Sequence, residues 1–423
     1  MATSVLTVLR PTYTSQFRCI GPDCEDSCCT GWRVFFDQAA CERYETIAPG
    51  PLRSLIDRSV ERLVPGVDGI PPKYFARVLQ TPQGACPLLN ADRLCQIQVE
   101  HGERFLSTTC AVYPRIVHRI DGMEEAALSL SCPEAARLVL LSPRLLGVGV
   151  EDDGGHYSFL LQEEFEGREV SPPTLLASFW LIRSFVLAVL TDRRYALWQR
   201  LFLVGVFVQR LDALLCGQLQ RPIGDVLRDF AAAIDSGTLR ANMEAIPADP
   251  TLQLDLVLRL ASLPLPRSFV GPRFIETVEA FKSGIGLTQG STLSDLVGHL
   301  CHAREAFFNP LIAEEPHILE NLLINMVFRS LFPFGQKEGK IPAEPRMIDE
   351  FSRLIAQFAL LQGLLMGVSG YYRERFGADQ IVFTVQSVAK HFEHHPEFLD
   401  KAEQLLERQH AADLRGWTML VRN

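Results

Sequence analysis

The sequence predicts a mainly α-helical protein. A small cysteine-rich, metal-binding domain of short irregular elements over residues 1–145 precedes an α-helical domain over residues 170–423. Two observations predict this division. Nine of the eleven cysteines lie in the first 132 residues, a segment crowded with turn residues such as Gly21-Pro22-Asp23, Pro49-Gly50-Pro51 and Pro71-Pro72. From Ser171 on, apolar residues recur at helical spacing between breaks of Pro, Gly and polar residues.

Taken in chain order, Met1 to Pro11 shows no charged stretch followed by a long apolar core, so no secretory signal is expected. Glu134 to Leu141 reads as a helix, with Pro133 in its first turn, where the missing N–H costs nothing. Val150 to Glu169, rich in Gly, Asp and Glu, reads as the spacer between the halves. Ser171-Pro172-Pro173 reads as a helix start, followed by Leu175, Leu176, Phe179, Trp180, Ile182, Phe185 and Val186 at a 3.6-residue period. Tyr195–Leu219, Gln253–Leu263, Pro272–Lys282, Pro316–Phe332, Met347–Met366 and Val385–Arg408 each read as helix. The expectation is about six to eight helices with no strand among them.

Composition narrows the function. With 423 residues and 47% apolar content the chain builds a real core, and its net charge of −9 argues against bulk electrostatic binding of nucleic acid or anionic lipid. The longest apolar stretch, Leu175 to Leu190, carries Arg183 in its middle, so it reads as a buried core helix and not a bilayer span. A soluble cytoplasmic protein without membrane or nucleic-acid partners is expected. In that compartment clustered cysteines point to metal or redox chemistry and not to disulfides.

The cysteines form two groups. One is Cys19-x4-Cys24-x3-Cys28-Cys29; the other is Cys86-x8-Cys95-x14-Cys110, with Cys132 further on. Soft thiolates in this density suit zinc or an iron–sulfur cluster. Neither group is the C-x2-C pair of a zinc ribbon. Nor is there a C-x3-C-x2-C loop of the common radical enzymes, because Gly31 stands where its third ligand would fall. Adjacent side chains such as Cys28 and Cys29 point apart in most backbone conformations, so the two are not expected to share one iron. Cys132 precedes a helix, where the dipole favours a thiolate. Cys41, Cys216 and Cys301 stand outside the groups and read as plain core or surface residues.

The motifs resemble a known family. Phe17-Arg18-Cys19-Ile20-Gly21, Cys24-Glu25-Asp26-Ser27-Cys28-Cys29-Thr30-Gly31-Trp32, Cys86-Pro87-Leu88-Leu89, Leu106-Ser107-Thr108-Thr109-Cys110, Tyr113-Pro114-Arg115 and Ser131-Cys132-Pro133-Glu134 resemble the signature of the flagellin lysine-N-methylases. Pro316 to Phe334 and Val385 to His394 are similar to that family's helical segments. The cysteine-rich half is also similar to a broader zinc- or iron-chelating cysteine-cluster family. The flagellin-methylase resemblance implies transfer of methyl groups from S-adenosylmethionine to lysine ε-amino groups of flagellin, with an iron–sulfur cluster, 4Fe-4S in type. It carries Cys19, Cys24, Cys28, Cys29, Cys86, Cys95, Cys110 and Cys132 over as candidate metal ligands. Eight thiols exceed the four that one cluster needs, and the motif does not say which four bind. Zinc is the alternative metal, and a non-enzymatic metal-binding scaffold is the alternative function.

Other constellations read more plainly. Leu146-Gly147-Val148-Gly149-Val150-Glu151 lacks the third glycine of a nucleotide-binding turn and reads as a domain-joining loop. His391 and His395 read as a solvated helix terminus, Trp32 as a core anchor, and Arg115 with Glu134 as a structural ion pair. Asp26 bonds loop amides or faces solvent. Glu320, Asn321 and Asn325 line either a pocket or an interdomain hydrogen-bond network; both alternatives stand open.

Overall fold

The computed structural model of the chain describes residues 9–64, 74–120, 123–148, 163–165, 178–217, 221–263, 270–336, 346–395 and 397–423. Near the N-terminus, Phe35–Phe36, Ala76–Val78 and Val60–Arg62 form a three-stranded antiparallel sheet with Ala76–Val78 in the centre. Helices Gln38–Glu45 and Pro51–Ser59 accompany it. Asp37 starts the first of these, its carboxylate accepting the Ala40 N–H at 2.8 Å and the Thr108 N–H at 2.8 Å. One carboxylate thus ties the sheet to the Cys110 segment. Phe36, Tyr44, Leu52, Ile56, Leu88 and Ile97 bury themselves in a small core of their own.

A six-residue hairpin, Arg115–Ile120 against Met123–Leu128, follows and was not legible in the sequence. Its polar His118 and Glu125 are buried along with Val117 and Leu128, which hides the two-residue alternation of a half-buried strand. The hairpin and the helix Pro133–Leu140 belong to the large core of the helical half, sharing it with Tyr13 and Phe17. The expected loop at Leu146 is in part a strand. Leu146–Val148 pairs antiparallel with Leu9–Pro11, and a Cβ on Gly147 would come within 2.6 Å of the Thr12 methyl group. Most of the Val150–Glu169 spacer, and the Ser171-Pro172-Pro173 start, lie outside the described residues; within the spacer, Glu163–Phe165 pairs parallel with Arg115–Ile120.

The helical half is richer than expected. Thirteen α-helices follow residue 178 among the described residues, including Ile223–Asp235, Leu293–Ala303 and Leu414–Val421, which fall outside the expected segments. The expected helix Val385–Arg408 is two, Ala378–Phe392 and Glu397–Arg408. The break falls before Pro396, whose ring disfavours helical backbone at the residue ahead of it. Phe179–Leu190 is a buried core helix, as its composition predicts. At the centre runs Met347–Tyr372, packed most closely against Pro272–Gly284. That approach depends on glycine: a Cβ at Gly284 would stand 1.8 Å from the Gly367 carbonyl oxygen. The segment Met347–Arg375 is the one among the described residues long and apolar enough to cross a bilayer, yet 89% of its apolar window is buried inside the protein.

Polar side chains dock the hairpin layer on this core. Asn321 Nδ2 donates to the carbonyls of Val139 at 3.0 Å and Ser142 at 2.7 Å, satisfying the C-terminal end of helix Pro133–Leu140. Asn325 accepts the Leu128 N–H at 3.3 Å and donates to the Leu128 carbonyl at 2.9 Å. Glu320 takes Arg193 at 3.0 Å and Arg200 at 2.6 Å. Of the two alternatives for this face, the hydrogen-bond network is therefore the one realised.

His118, in the hairpin, approaches the Arg329 carbonyl at 3.4 Å. Burial, reinforced by the Arg183 charge, pushes its pKa down to about 4. An unfolded chain binds this proton near about 6.5, so below that pH the unfolded state holds more protons and stability falls as pH falls. The loss should approach roughly 3 kcal/mol by the time pH reaches the folded value. Urea unfolding between about pH 7 and pH 4.5 should show it. His118→Asn should flatten the slope, and an equal slope in that variant would refute the assignment.

Candidate metal centre and adjoining pocket

The loop from Cys19 to Trp32 is shaped by a 3-10 turn at Gly21–Asp23 and by the Cys24 thiol, which donates to the Asp26 carbonyl at 2.7 Å. Helix Ala378–Phe392 pins it from outside. Lys390 Nζ reaches the Asp26 carboxylate at 2.7 Å and the Ser27 carbonyl at 2.9 Å, and Gln386 donates to Asp26 at 2.9 Å. Asp26 also accepts the Ser27 N–H at 2.8 Å, so it is a tie between loop and helix and not a solvated residue.

This anchoring presents Cys28 and Cys29 with their sulfurs 4.0 Å apart. The second cysteine group is stitched directly to them. The Cys86 N–H donates to the Cys29 carbonyl at 2.7 Å, and Thr30 bridges Ala85. Leu89 bridges Cys95, which begins helix Gln96–His101. Ser107 caps the short helix Thr108–Val112, accepting the Cys110 N–H at 3.3 Å. Cys132 begins helix Pro133–Leu140. Segments up to 113 residues apart are thus folded into one thiol-rich region.

Electrostatics shows who neighbours whom. Cys29 feels Cys28, Cys86 and Cys110; Cys110 feels Cys95, Cys86 and Cys28; Cys132 feels Cys24 and Cys28; Cys24 feels Cys19 and Cys28. Cys28 is common to both circles. One quartet, Cys29, Cys86, Cys95 and Cys110, lines the small apolar core. The other four, Cys19, Cys24, Cys28 and Cys132, lie outside that core, with Cys132 in the large core of the helical half. Burial pushes Cys110 and Cys132 up to about 12 and Cys86 up to about 11. The Cys28 thiol, hydrogen-bonded by Cys29 and near Lys390, is held down to about 7. Cys41 is buried in the same core without joining either quartet, and Cys216 and Cys301 lie in the helical half. The eight sequence candidates lie near one another, Cys41 shares the small core with four of them, and only Cys216 and Cys301 lie apart.

Among the described residues no three Cys, His, Asp or Glu side chains close on a single metal ion. A tetrahedral zinc site needs its sulfurs within about 2.3 Å of one point. Thiols are the donors of both a zinc site and a four-iron cluster, so the residues gathered here have the donor chemistry of either group.

Beside this region opens a cavity of about 450 Å³, lined by Trp32, Tyr74, Tyr113 and His394 together with the charged side chains of Asp37, Arg115, Arg329 and Glu393. Trp32 stacks on His394 at 4.7 Å and on Tyr113 at 5.7 Å, and its indole N–H donates to the Cys28 carbonyl at 2.6 Å. Trp32 packs on the small core, as a core anchor would, and its half-buried ring also lines the cavity. A chain of hydrogen bonds backs the rings. Ser129 donates to Glu393 at 2.6 Å and contacts Ser131 at 2.6 Å. Ser131 contacts the Tyr113 hydroxyl at 3.0 Å and His394 Nε2 at 3.1 Å. Each serine has one proton to give. With Ser129 donating to Glu393, Ser131 must donate to Ser129, and Tyr113 and His394 Nε2–H both donate to Ser131. Burial, with Arg329 and Lys390 nearby, pushes the His394 pKa down to about 4, which keeps this neutral tautomer at pH 7.

Three expectations need correction here. His391 is not solvated: it is buried and stacks on Phe274 at 4.0 Å. Glu134 pairs with Arg137, while Arg115 lies over the Phe17 ring at 4.9 Å and donates to the Phe17 carbonyl at 3.2 Å. Glu393 and His394, read only as motif letters, prove to be cavity residues. No local signal marks them, because their partners, Ser129 for Glu393 and Ser131 for His394, lie 264 and 263 residues away.

Residues 183–420 match the family described as the FliB lysine N-methylase C-terminal domain. Lysine-N-methylases of Salmonella choleraesuis and Salmonella typhimurium are each 23% identical, over 96% of this chain and 97% of the relative. The flagellar biosynthetic protein FliU of Salmonella muenchen is 29% identical over 156 residues, which is 37% of this chain and 89% of that protein. No solved structure matches the chain. With the family match extending over more than half of the chain, and the full-length relatives aligning from the cysteine motifs to the last helices, this chain belongs to the FliB lysine N-methylase family.

Proposed function

We propose that this chain transfers methyl groups from S-adenosylmethionine to the ε-amino groups of surface lysines on flagellin, in the cytoplasm, with an iron–sulfur cluster of the 4Fe-4S type held by its N-terminal cysteines. The observation that carries the reading is the gathering of eight thiols around Cys28 and Cys29, directly beside an aromatic cavity. Family membership supports lysine methylation, and the likeness to a flagellar biosynthetic protein supports a flagellar substrate. In this reading residues 1–145 carry the metal and residues 170–423 supply part of the substrate groove.

Of the eight candidates, Cys29, Cys86, Cys95 and Cys110 are the favoured ligands. They line one apolar core and come from three separate segments, so ligation closes the fold around the group. A bound cluster would supply redox-active iron; with four thiolates on its four irons none would be left open to the donor molecule. The chain's own contribution is to hold donor and amine in line and to exclude water. Lys390, Gln386 and Asp26 keep the Cys19–Cys29 loop in register with the helical half.

The test is strictly anaerobic purification, followed by iron and acid-labile sulfide analysis and a methyl-incorporation assay with labelled S-adenosylmethionine and flagellin. Iron with matching sulfide, and label in flagellin lysines, are expected. Zinc without sulfide would overturn the cluster. Metal-loaded protein that transfers no methyl group to flagellin would favour the scaffold alternative.

A further inference from the structure

We propose that the cavity beside the cysteines is the binding site of the methyl donor, with the purine of S-adenosylmethionine against the Trp32 face and its amino-acid end toward Arg329 and Glu393. This rests on the proposed donor chemistry and assigns it a place. The cavity, at about 450 Å³, has the volume of small-molecule sites in general. Its lining matches the ligand group by group. A purine needs a flat aromatic surface, and the rings of Trp32, Tyr74 and Tyr113 all line the cavity. A sulfonium cation is attracted by the same ring faces. The amino-acid end carries one carboxylate and one ammonium, and the cavity offers guanidinium groups at Arg115 and Arg329 and carboxylates at Asp37 and Glu393.

A lysine side chain, with one cation and no ring, uses less of this lining. Both carboxylates already hold partners, Asp37 two backbone N–H groups and Glu393 the Ser129 hydroxyl with Arg329 at 3.6 Å, so each offers an ammonium of either ligand only its remaining lone pairs. The site is also built in advance. Ser131 accepts from Tyr113 and from His394, and Ser129 passes the chain on to Glu393, so neither ring can turn without breaking a hydrogen bond. Rings fixed before binding lose little entropy on binding. The indole N–H of Trp32 on the Cys28 carbonyl places this surface against the thiol-rich region.

The experiment is calorimetric titration of anaerobically purified, metal-loaded full-length protein with S-adenosylmethionine, with S-adenosylhomocysteine and with adenosine. Trp32→Ala is expected to weaken all three by about tenfold, and Trp32→Phe to restore most of that. Arg329→Gln is expected to weaken the two amino-acid-bearing ligands by about tenfold while leaving adenosine unchanged. Quenching of tryptophan fluorescence by adenosine should vanish in Trp32→Phe, although three other tryptophans remain. Iron content is measured in every variant. Because Trp32 adjoins Cys28, the Arg329 variant on the far helix keeps the test decisive if Trp32→Ala loses metal. Unchanged affinities in iron-replete Arg329→Gln, with fluorescence quenching retained in Trp32→Phe, would overturn the assignment. So would unchanged donor affinity together with a raised KM for flagellin, which would hand the cavity to the lysine. If wild-type protein binds no S-adenosylmethionine at all, the donor reading fails with it; if the wild type binds and the variants bind equally, only the placement fails.

Discussion

Arg183→Met is expected to destabilise the folded protein by about 3–5 kcal/mol, enough to unfold much of it at ordinary temperature. Arg183 sits mid-helix in Phe179–Leu190, and it and Glu125 in the hairpin each expose only 2% of their side chains. Its Nη1 meets the Glu125 carboxylate at 2.9 Å, and its Nε donates to the Phe332 carbonyl at 2.9 Å. The guanidinium lies over Phe179 at 4.9 Å and Phe328 at 5.2 Å. Deleting the cation leaves the Glu125 charge in an apolar core beside Tyr13, whose own pKa is already raised by burial and by Glu125. Reducing the charge of the pair as a whole is a different matter. Arg183→Met with Glu125→Leu should recover most of the loss, since the pair's attraction roughly offsets its desolvation. Urea unfolding of the three variants measures it. A double variant no better than the single one would show that Glu125 is not what Arg183 compensates.

Cys110→Ser is expected to remove most of the bound iron, and methyl transfer with it. The loss of affinity should exceed the roughly 10–100-fold that changes behind a ligand bring about. Cys86→Ser should behave alike, because both line the apolar core with Cys29 and Cys95. Cys41→Ser, Cys216→Ser and Cys301→Ser should keep full iron content, since none of the three lies in either quartet. Iron and sulfide per chain, measured anaerobically, decides it. Full iron in Cys110→Ser would remove that quartet from the assignment. Loss in Cys24→Ser but not in Cys110→Ser would move the cluster to the other four, Cys19, Cys24, Cys28 and Cys132.

The cysteine spacing was legible because it is linear: the density of thiols, the turns between them and the motif around them can be counted along the chain. The long helices were legible for the same reason, since a 3.6-residue apolar period is a local signal. Where a period was broken, reading failed. The hairpin at Arg115–Ile120 escaped because His118 and Glu125 are buried on it. The helices Ile223–Asp235 and Leu293–Ala303 escaped although each buries an apolar stripe, Val226, Phe230 and Ile234 in one and Leu296 and Leu300 in the other. That Trp32 also lines a cavity was hidden because nothing near it in sequence announces His394, which lies against it in space.

By itself, the amino-acid order determined that thiols would be concentrated near one end of the chain and that the rest would be helical, because residue type and short-range period settle both. Only the tertiary structure decided that the two cysteine groups meet at Cys28 and Cys29, that Asn321 and Asn325 on His317–Arg329 hold helix Pro133–Leu140 and the hairpin, and that a cavity stands beside the thiols. The reason is the range of the interactions. Apolar periodicity acts over a few residues, whereas the bonds that build the site join Ser129 to Glu393 and Asp26 to Lys390, across 264 and 364 residues, and exist only once the core has brought those segments together.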